Sequence, residues 1–152
     1  MDTTVFFNYP TQQRARAPRN DADGGLLPHG TAEEWDAVLA ATEAMRFHPG
    51  DVVLRAGERD RALYILLDGR VVLDGGAELA PPALLGAAAF LDGEPRAAAA
   101  IARGHGELAR LSWDGYEALA ARDPRLGRQI LVDVGRELAA QLRAAAIAGW
   151  AG

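Results

Sequence analysis

Leu85-Gly86-Ala87-Ala88-Ala89-Phe90-Leu91-Asp92-Gly93-Glu94-Pro95-Arg96-Ala97-Ala98-Ala99 is the stretch on which the reading of this chain turns. A glycine that opens a short helical turn leaves backbone N–H groups unpaired at the helix start, an arrangement that suits an anion. An arginine ten residues further on, Arg96, can return to the same place from the next strand and grip that anion with its guanidinium. Taken alone, these residues describe a phosphate pocket.

Outward from that stretch, Ala44 to Ser112 runs in short strands broken by turn signals at Pro49-Gly50, Gly57, Asp68-Gly69, Asp74-Gly75-Gly76 and Gly104-His105-Gly106. Regular spacing of this kind predicts an antiparallel barrel or jelly roll. Leu63-Tyr64-Ile65-Leu66-Leu67, then Asp68-Gly69, then Val71-Val72-Leu73 predicts a tight hairpin, because Asp-Gly supplies the positive φ angles of such a turn. Helical patterns bracket the strands. Thr31 and Glu34 form a capping-box pair ahead of a helix whose packing face is Trp35, Val38, Leu39 and Thr42. Ser112 caps a short segment through Tyr116 and Leu119, and Asp123-Pro124 opens a longer helix. In it Leu126, Ile130, Val134, Leu138 and Leu142 recur every four residues, a stripe suited to the barrel or to a twin helix. Ile130, Val134, Leu138 and Leu142 are its candidate dimer contacts.

The chain resembles the cyclic-nucleotide-binding domain family, whose phosphate-binding cassette usually reads Phe-Gly-Glu-Leu-Ala-Leu, a variable stretch, then Pro-Arg-Ala-Ala. Gly86, Ala89, Pro95, Arg96, Ala97 and Ala98 match that form. The resemblance extends over residues 26–147: Pro49-Gly50-Asp51, Gly57 and the run from Leu63 to Gly69 are each similar to family landmarks, in the same order. It implies a mainly β fold with flanking helices, a cyclic-nucleotide-binding-type β-barrel or jelly roll with an N-terminal helix and two C-terminal helices. It also implies a ligand set. Arg96 pairs with the cyclic phosphate, the backbone of Ala88 and Ala89 donates to its oxygens, and Gly86, Ala87 and Ala97 complete the site. No cofactor is certain; between the two nucleotides the resemblance leans to cyclic AMP, since family members that take cyclic GMP often carry threonine or serine where Ala97 stands.

One position departs from the pattern. Where the family places a glutamate that accepts from the ribose hydroxyl, this chain has Ala87, and a methyl group accepts nothing. A bound nucleotide would lose that partner, at about 1–3 kcal/mol or one to two decades of affinity. The hairpin after Val71 is also short, Leu79-Ala80-Pro81-Pro82 fills the approach to the cassette, and Leu85 is aliphatic where relatives are aromatic. Read as a structural residue instead, Arg96 pairs with Glu94, Asp92 or cassette carbonyls.

The whole chain has 152 residues, the size of one domain, with residues 26–150 as the folded unit and 1–25 as an extended arm and linker. Three of its ten aromatic residues, Phe6, Phe7 and Tyr9, sit in the first ten positions, ahead of the polar, turn-rich TQQRARAPRNDADGG. With Val5 they form a candidate partner-binding segment, able to add to a sheet edge or fill a groove. Sixteen basic residues, all arginine, against twenty-one acids leave a net charge of −5, which argues against nucleic acid as a partner. The absence of cysteine removes thiol catalysis and zinc–thiolate sites, and His29, His48 and His105 lie in separate turns with no ligand spacing, so no metal site is expected. No stretch is apolar enough to span a membrane, and a cytoplasmic location is the expectation. No nucleophile motif is present, so the chain reads as non-catalytic. The expected function is a stand-alone module for protein interaction or assembly, with weak or lost nucleotide binding and an arm that docks on a partner. The alternative is a cyclic AMP sensor that signals through its last helix.

Overall fold

A computed structural model describes residues 25–151, so Val5, Phe6, Phe7 and Tyr9 lie outside the described residues. In chain order the elements are α1 (Ala32–Ala40), β1 (Glu43–Phe47), β2 (Val52–Leu54), β3 (Ala62–Asp68), β4 (Val71–Leu73), β5 (Glu78–Leu79), β6 (Ala83–Leu85), α2 (Ala87–Asp92), β7 (Ala100–Ala102), β8 (Gly106–Ser112), α3 (Trp113–Arg122) and α4 (Pro124–Ala151). The strands form two four-stranded antiparallel sheets, in the orders β1-β8-β3-β6 and β2-β7-β4-β5. This is the jelly-roll arrangement expected, built as two facing sheets and not as one closed barrel.

The alternation of side chains along β3 explains how the layers stack. Ala62, Tyr64 and Leu66 point between the sheets, where they meet Phe47, Leu54, Val71 and Leu108. Leu63 and Ile65 point the other way, into a layer with Trp35, Val38, Phe90, Ile130 and Val134. A strand covered on both faces reads as an unbroken apolar run, as Leu63 to Leu67 does. That run also corrects the hairpin expectation. Both edges of β3 are already taken, by β8 and β6, so β4 pairs with β5 and β7 in the other sheet. Asp68-Gly69 is a corner between sheets. Gly69 has φ +90°, and a Cβ there would meet the His105 carbonyl at 2.7 Å, so the corner passes hard against the β7–β8 turn.

The helices cover the outer face of the first sheet. Thr31 and Glu34 form the reciprocal capping box of α1, which buries Trp35 and Val38. Ser112 caps α3 by accepting from Gly115 N–H at 3.0 Å. Of the stripe on α4, Leu126, Ile130 and Val134 are buried against the protein's own core, Leu138 packs at its margin, and Leu142 is 71% exposed. The buried Asp133 of α4 accepts from Leu27 N–H at 2.9 Å and from the Gln129 amide at 2.9 Å, pinning the approach to α1 onto the last helix.

A Cβ added at Gly106 would overlap the Asp68 carbonyl and the Phe47 ring, whereas one at Gly104 meets nothing. Gly106→Ala should therefore cost about 1–3 kcal/mol in urea unfolding, and Gly104→Ala should stay within about 0.5 kcal/mol of the parent.

Candidate functional site

The cassette begins where β6 ends. Gly86 takes the left-handed conformation (φ 75°) as the N-cap of α2, with no side-chain cap, and Gly93 (φ 72°) ends that helix after six residues. Gly86 is needed for more than its dihedral. A Cβ there would come within 3.0 Å of the Ala62 carbonyl, so β3 and the cassette approach at backbone distance. Ala87 and Ala89 are buried, while Ala88 and Ala97 are exposed. The cassette therefore turns the Ala88 face outward and buries the Ala87 methyl in the helix layer with Phe90.

Arg96 follows, 5% exposed, and its charge is already paired. Its Nη1 donates to Glu58 Oε1 at 3.1 Å, and its Nη2 donates to Asp60 Oδ2 at 2.5 Å and to the Asp60 carbonyl at 3.2 Å. The backbone of the same loop joins in: Gly57 N–H donates to the Arg96 carbonyl at 2.7 Å, and Arg96 N–H to the Glu58 carbonyl at 3.0 Å. The acids on Arg96 are thus Glu58 and Asp60 from the β2–β3 loop, in place of the Asp92 and Glu94 that adjacency suggests. Asp92 instead accepts from Glu94 N–H, and Glu94 lies 4.0 Å from Arg59.

Asp60 is the hub. Its Oδ1 accepts from Arg110 Nη2 at 2.5 Å, and its Oδ2 accepts from the Tyr64 hydroxyl at 2.5 Å as well as from Arg96. The Tyr64 hydroxyl in turn accepts from Arg110 Nε at 3.2 Å. Sheet register creates this meeting: Tyr64 on β3 stands directly opposite Arg110 on β8 and opposite Leu85 on β6. Arg96 also lies over the Tyr64 ring, 4.9 Å from its centroid. On its other side Arg110 faces Glu43 of β1, at 3.7 Å.

Burial pushes the Asp60 carboxyl upward, but hydrogen bonds from Arg110, Tyr64 and Arg96 outweigh it and leave the pKa at about 2. Tyr64 is raised, first by burial and then by the carboxylate it faces. Arg110 is raised too, chiefly by its bond to Asp60. The cluster sets two guanidinium groups, those of Arg96 and Arg110, among the carboxyl groups of Asp60, Glu58 and Glu43.

Glu58, Asp60, Tyr64 and Arg110 were not among the candidate site residues of the sequence reading. A signal existed in Leu108-Ala109-Arg110-Leu111, where one arginine interrupts an apolar strand and so requires a carboxylate from somewhere. The histidines also behave differently from expectation: the His48 and His105 rings meet edge to face at 5.2 Å, with Asp51 3.7 Å from His48. Among the described residues, no group of three or more His, Cys, Asp or Glu side chains is placed to hold a metal. No described helix is long and apolar enough to cross a membrane.

Two facing sheets, a glycine-initiated turn after β6 and an arginine that follows it in the chain are the features by which the domain is compared with known proteins. The chain belongs to the cyclic nucleotide-binding domain family, whose profile matches residues 44–123. Among solved structures, a cyclic nucleotide-binding domain from Methylobacillus flagellatus is 25% identical, with a TM-score of 0.70 over 78% of this chain and 72% of that one. The catabolite activator protein of Thermus thermophilus is 31% identical with a TM-score of 0.65, and 78% of this chain spans 59% of that protein. The regulatory domain of Toxoplasma gondii PKA, solved with cAMP, is 28% identical with a TM-score of 0.51 over 58% of this chain and 38% of that one. Curated protein sequences include no match.

Because the folded-state pKa of Asp60 lies below the ordinary 3.8, its ionised form favours the folded state above that pH, and the contribution fades as pH falls through about 2. With partial solvent screening it amounts to ~1–2 kcal/mol. Unfolding titrations from pH 6 to 2 should show that gap between the parent and Asp60→Asn closing at the acid end; a gap independent of pH would rule the linkage out.

Proposed function

We propose that this domain is a non-catalytic interaction module in which the cyclic-nucleotide-binding scaffold is kept and nucleotide affinity is weak or lost. The observation that carries this reading is the pairing of Arg96 with Glu58 and Asp60. A cyclic phosphate seeking that guanidinium would have to displace two carboxylates and then sit beside them, like charge against like charge. Ala87 supports the same reading from the sugar side, since it offers a ribose no acceptor. Arg96, Gly86, Ala87, Ala88, Ala89 and Ala97 are then what remains of a ligand set.

Contacts with other chains are assigned to two surfaces. One is the arm, where Val5, Phe6, Phe7 and Tyr9 dock on a protein partner. The other is the second half of α4, a helix of 28 residues, about 42 Å long, that leaves the core after Val134. Leu138 packs at the margin of the core and Leu142, one turn further, is 71% exposed, an apolar position suited to a second copy of the chain.

A second reading is a cyclic AMP sensor that signals through α4. It is favoured by the intact glycine turn at Gly86 and by the Nε of Arg96, a buried donor with no partner among the described residues.

Calorimetry on the whole chain separates the two. The first reading expects neither cyclic AMP nor cyclic GMP to bind tighter than about 10 μM. Tighter binding that Arg96→Ala abolishes would establish the sensor. For α4, sedimentation should find a dimer that Leu142→Glu converts to a monomer with the melting temperature nearly unchanged; a monomeric parent removes α4 from the proposal.

A further inference from the structure

We infer that the solvent face of α4 is a cationic docking strip for an acidic helix of a partner protein, with a cleft beside Arg136 that takes one of that helix's carboxylate side chains. The inference deepens the functional reading above by naming the chemistry of a partner, and it rests on that reading. Arg125, Arg128, Arg136 and Arg143 are all exposed on α4. At 3.6 residues per turn, Arg136 and Arg143 return to within about 20° of Arg125, so three of the four fall on one line about 27 Å long. The line runs opposite the buried Val134, and Val132 lies on it, 42% exposed.

Two features set this face apart from an ordinary solvated one. The first is charge segregation. An exposed helical arginine gains from a carboxylate three or four positions away. Around Arg125, Arg128 and Arg143 those positions hold no acid, and the acid three before Arg136 is Asp133, which is buried and bonded to Leu27 N–H and the Gln129 amide. Among the described residues none of the four is paired with a carboxylate, whereas Arg46, Arg70 and Arg103 each face one. A chain of net charge −5 thus keeps one helix face positive.

The second feature is a cleft of about 220 Å³ beside the strip, between α4 and the segment that leads into α1. Its polar lining is His29, Glu34, Gln129 and Arg136. Glu34 is occupied in the capping box, its Oε1 accepting from Thr31 N–H at 2.9 Å, which leaves the Arg136 guanidinium to a carboxylate from outside. Between the arginines stand Val132, Ala139 and Ala140, apolar side chains short enough for a second helix to approach closely. An acidic helix fits this strip better than a duplex or an anionic membrane does, because the strip is one helix wide and the net charge of the chain repels a larger polyanion.

Fluorescence anisotropy on the whole chain tests this, with a labelled helical peptide of about 20 residues that carries glutamate at every third or fourth position. The peptide should bind with a Kd of roughly 10–100 μM at about 50 mM salt and weaken as salt rises, and its glutamine counterpart should not bind. The variant Arg125→Gln/Arg136→Gln/Arg143→Gln should lose at least about tenfold in affinity, the combined effect of three exposed charge pairs. The control Arg46→Gln/Arg70→Gln/Arg103→Gln removes the same charge from the sandwich and should lose less than about threefold. Equal losses in the two triple variants, or no saturable binding up to about 1 mM peptide, would overturn the strip. Arg136→Gln alone should cost more than Arg143→Gln alone, and the reverse order would overturn the cleft. Tighter binding of a 20-base-pair DNA duplex or of phosphatidylserine vesicles than of the peptide, abolished in the α4 triple variant, would reject the acidic helix as occupant. Should that triple variant not fold, its three single variants, each expected to lose about two- to threefold, carry the same comparison. Cyclic AMP calorimetry bears on the functional reading and the α4 variants on the strip, so either can fail while the other stands.

Discussion

The carboxylate of Asp60 is the contact on which the rest of the site depends. Arg96 is nearly sealed from water and Arg110 is half-buried, and two enclosed cations need anions close by. Asp60 meets both, and its three hydrogen-bonding partners come from three parts of the chain that are far apart in sequence. Remove it and Arg96 keeps only Glu58, and Arg110 only Glu43, as a carboxylate partner. The loop from Arg55 to Arg61 is exposed in most of its residues, so this pairing is also what gives it a fixed course over the end of the sandwich.

A second carboxylate plays a matching part on the opposite side of the sheet. Asp133 has no arginine; it satisfies Leu27 N–H and the Gln129 amide inside the helix layer. Leu27 needs the help, because it stands in the left-handed region at φ 47° with its side chain buried. Between these two acids runs β3, covered on both faces, with Tyr64 facing the site and Leu63 and Ile65 facing α4. A displacement at Asp60 therefore has a short packed route to the last helix, through Arg61, Trp113 and the Phe90–Tyr116 contact at 5.6 Å.

How much of this was legible from residues alone follows the range of the forces involved. The helix caps were readable because they are written within four residues, as with Thr31 and Glu34 or Ser112 and Gly115. The jelly roll was readable from strand spacing and the cassette from Gly86 and Arg96. The Asp68-Gly69 corner was misread because a local turn preference does not say which strands have already taken the edges of β3. The partners of Arg96 were misread for a related reason: proximity in sequence favours Asp92 and Glu94, while the fold brings in Glu58 and Asp60, 38 and 36 positions away. His48 and His105 meet for the same reason, since β1 and β8 pair along their lengths.

Ala87 and Asp60 acquire a common logic when the two ends of the cassette are compared. The family resemblance places one carboxylate just after the glycine, where it serves the sugar of an external ligand. Here that position is a buried methyl packed with Phe90, and a carboxylate stands on the opposite side, against the arginine. Arg96 needs an anion whichever way the domain is used, because its burial is fixed by the sandwich and not by the ligand. A chain that supplies that anion covalently avoids the entropy of capturing a free one, since the loop closure is completed on folding. The Ala87 methyl and the Asp60 carboxylate thus close the two ends of the cassette from within the chain.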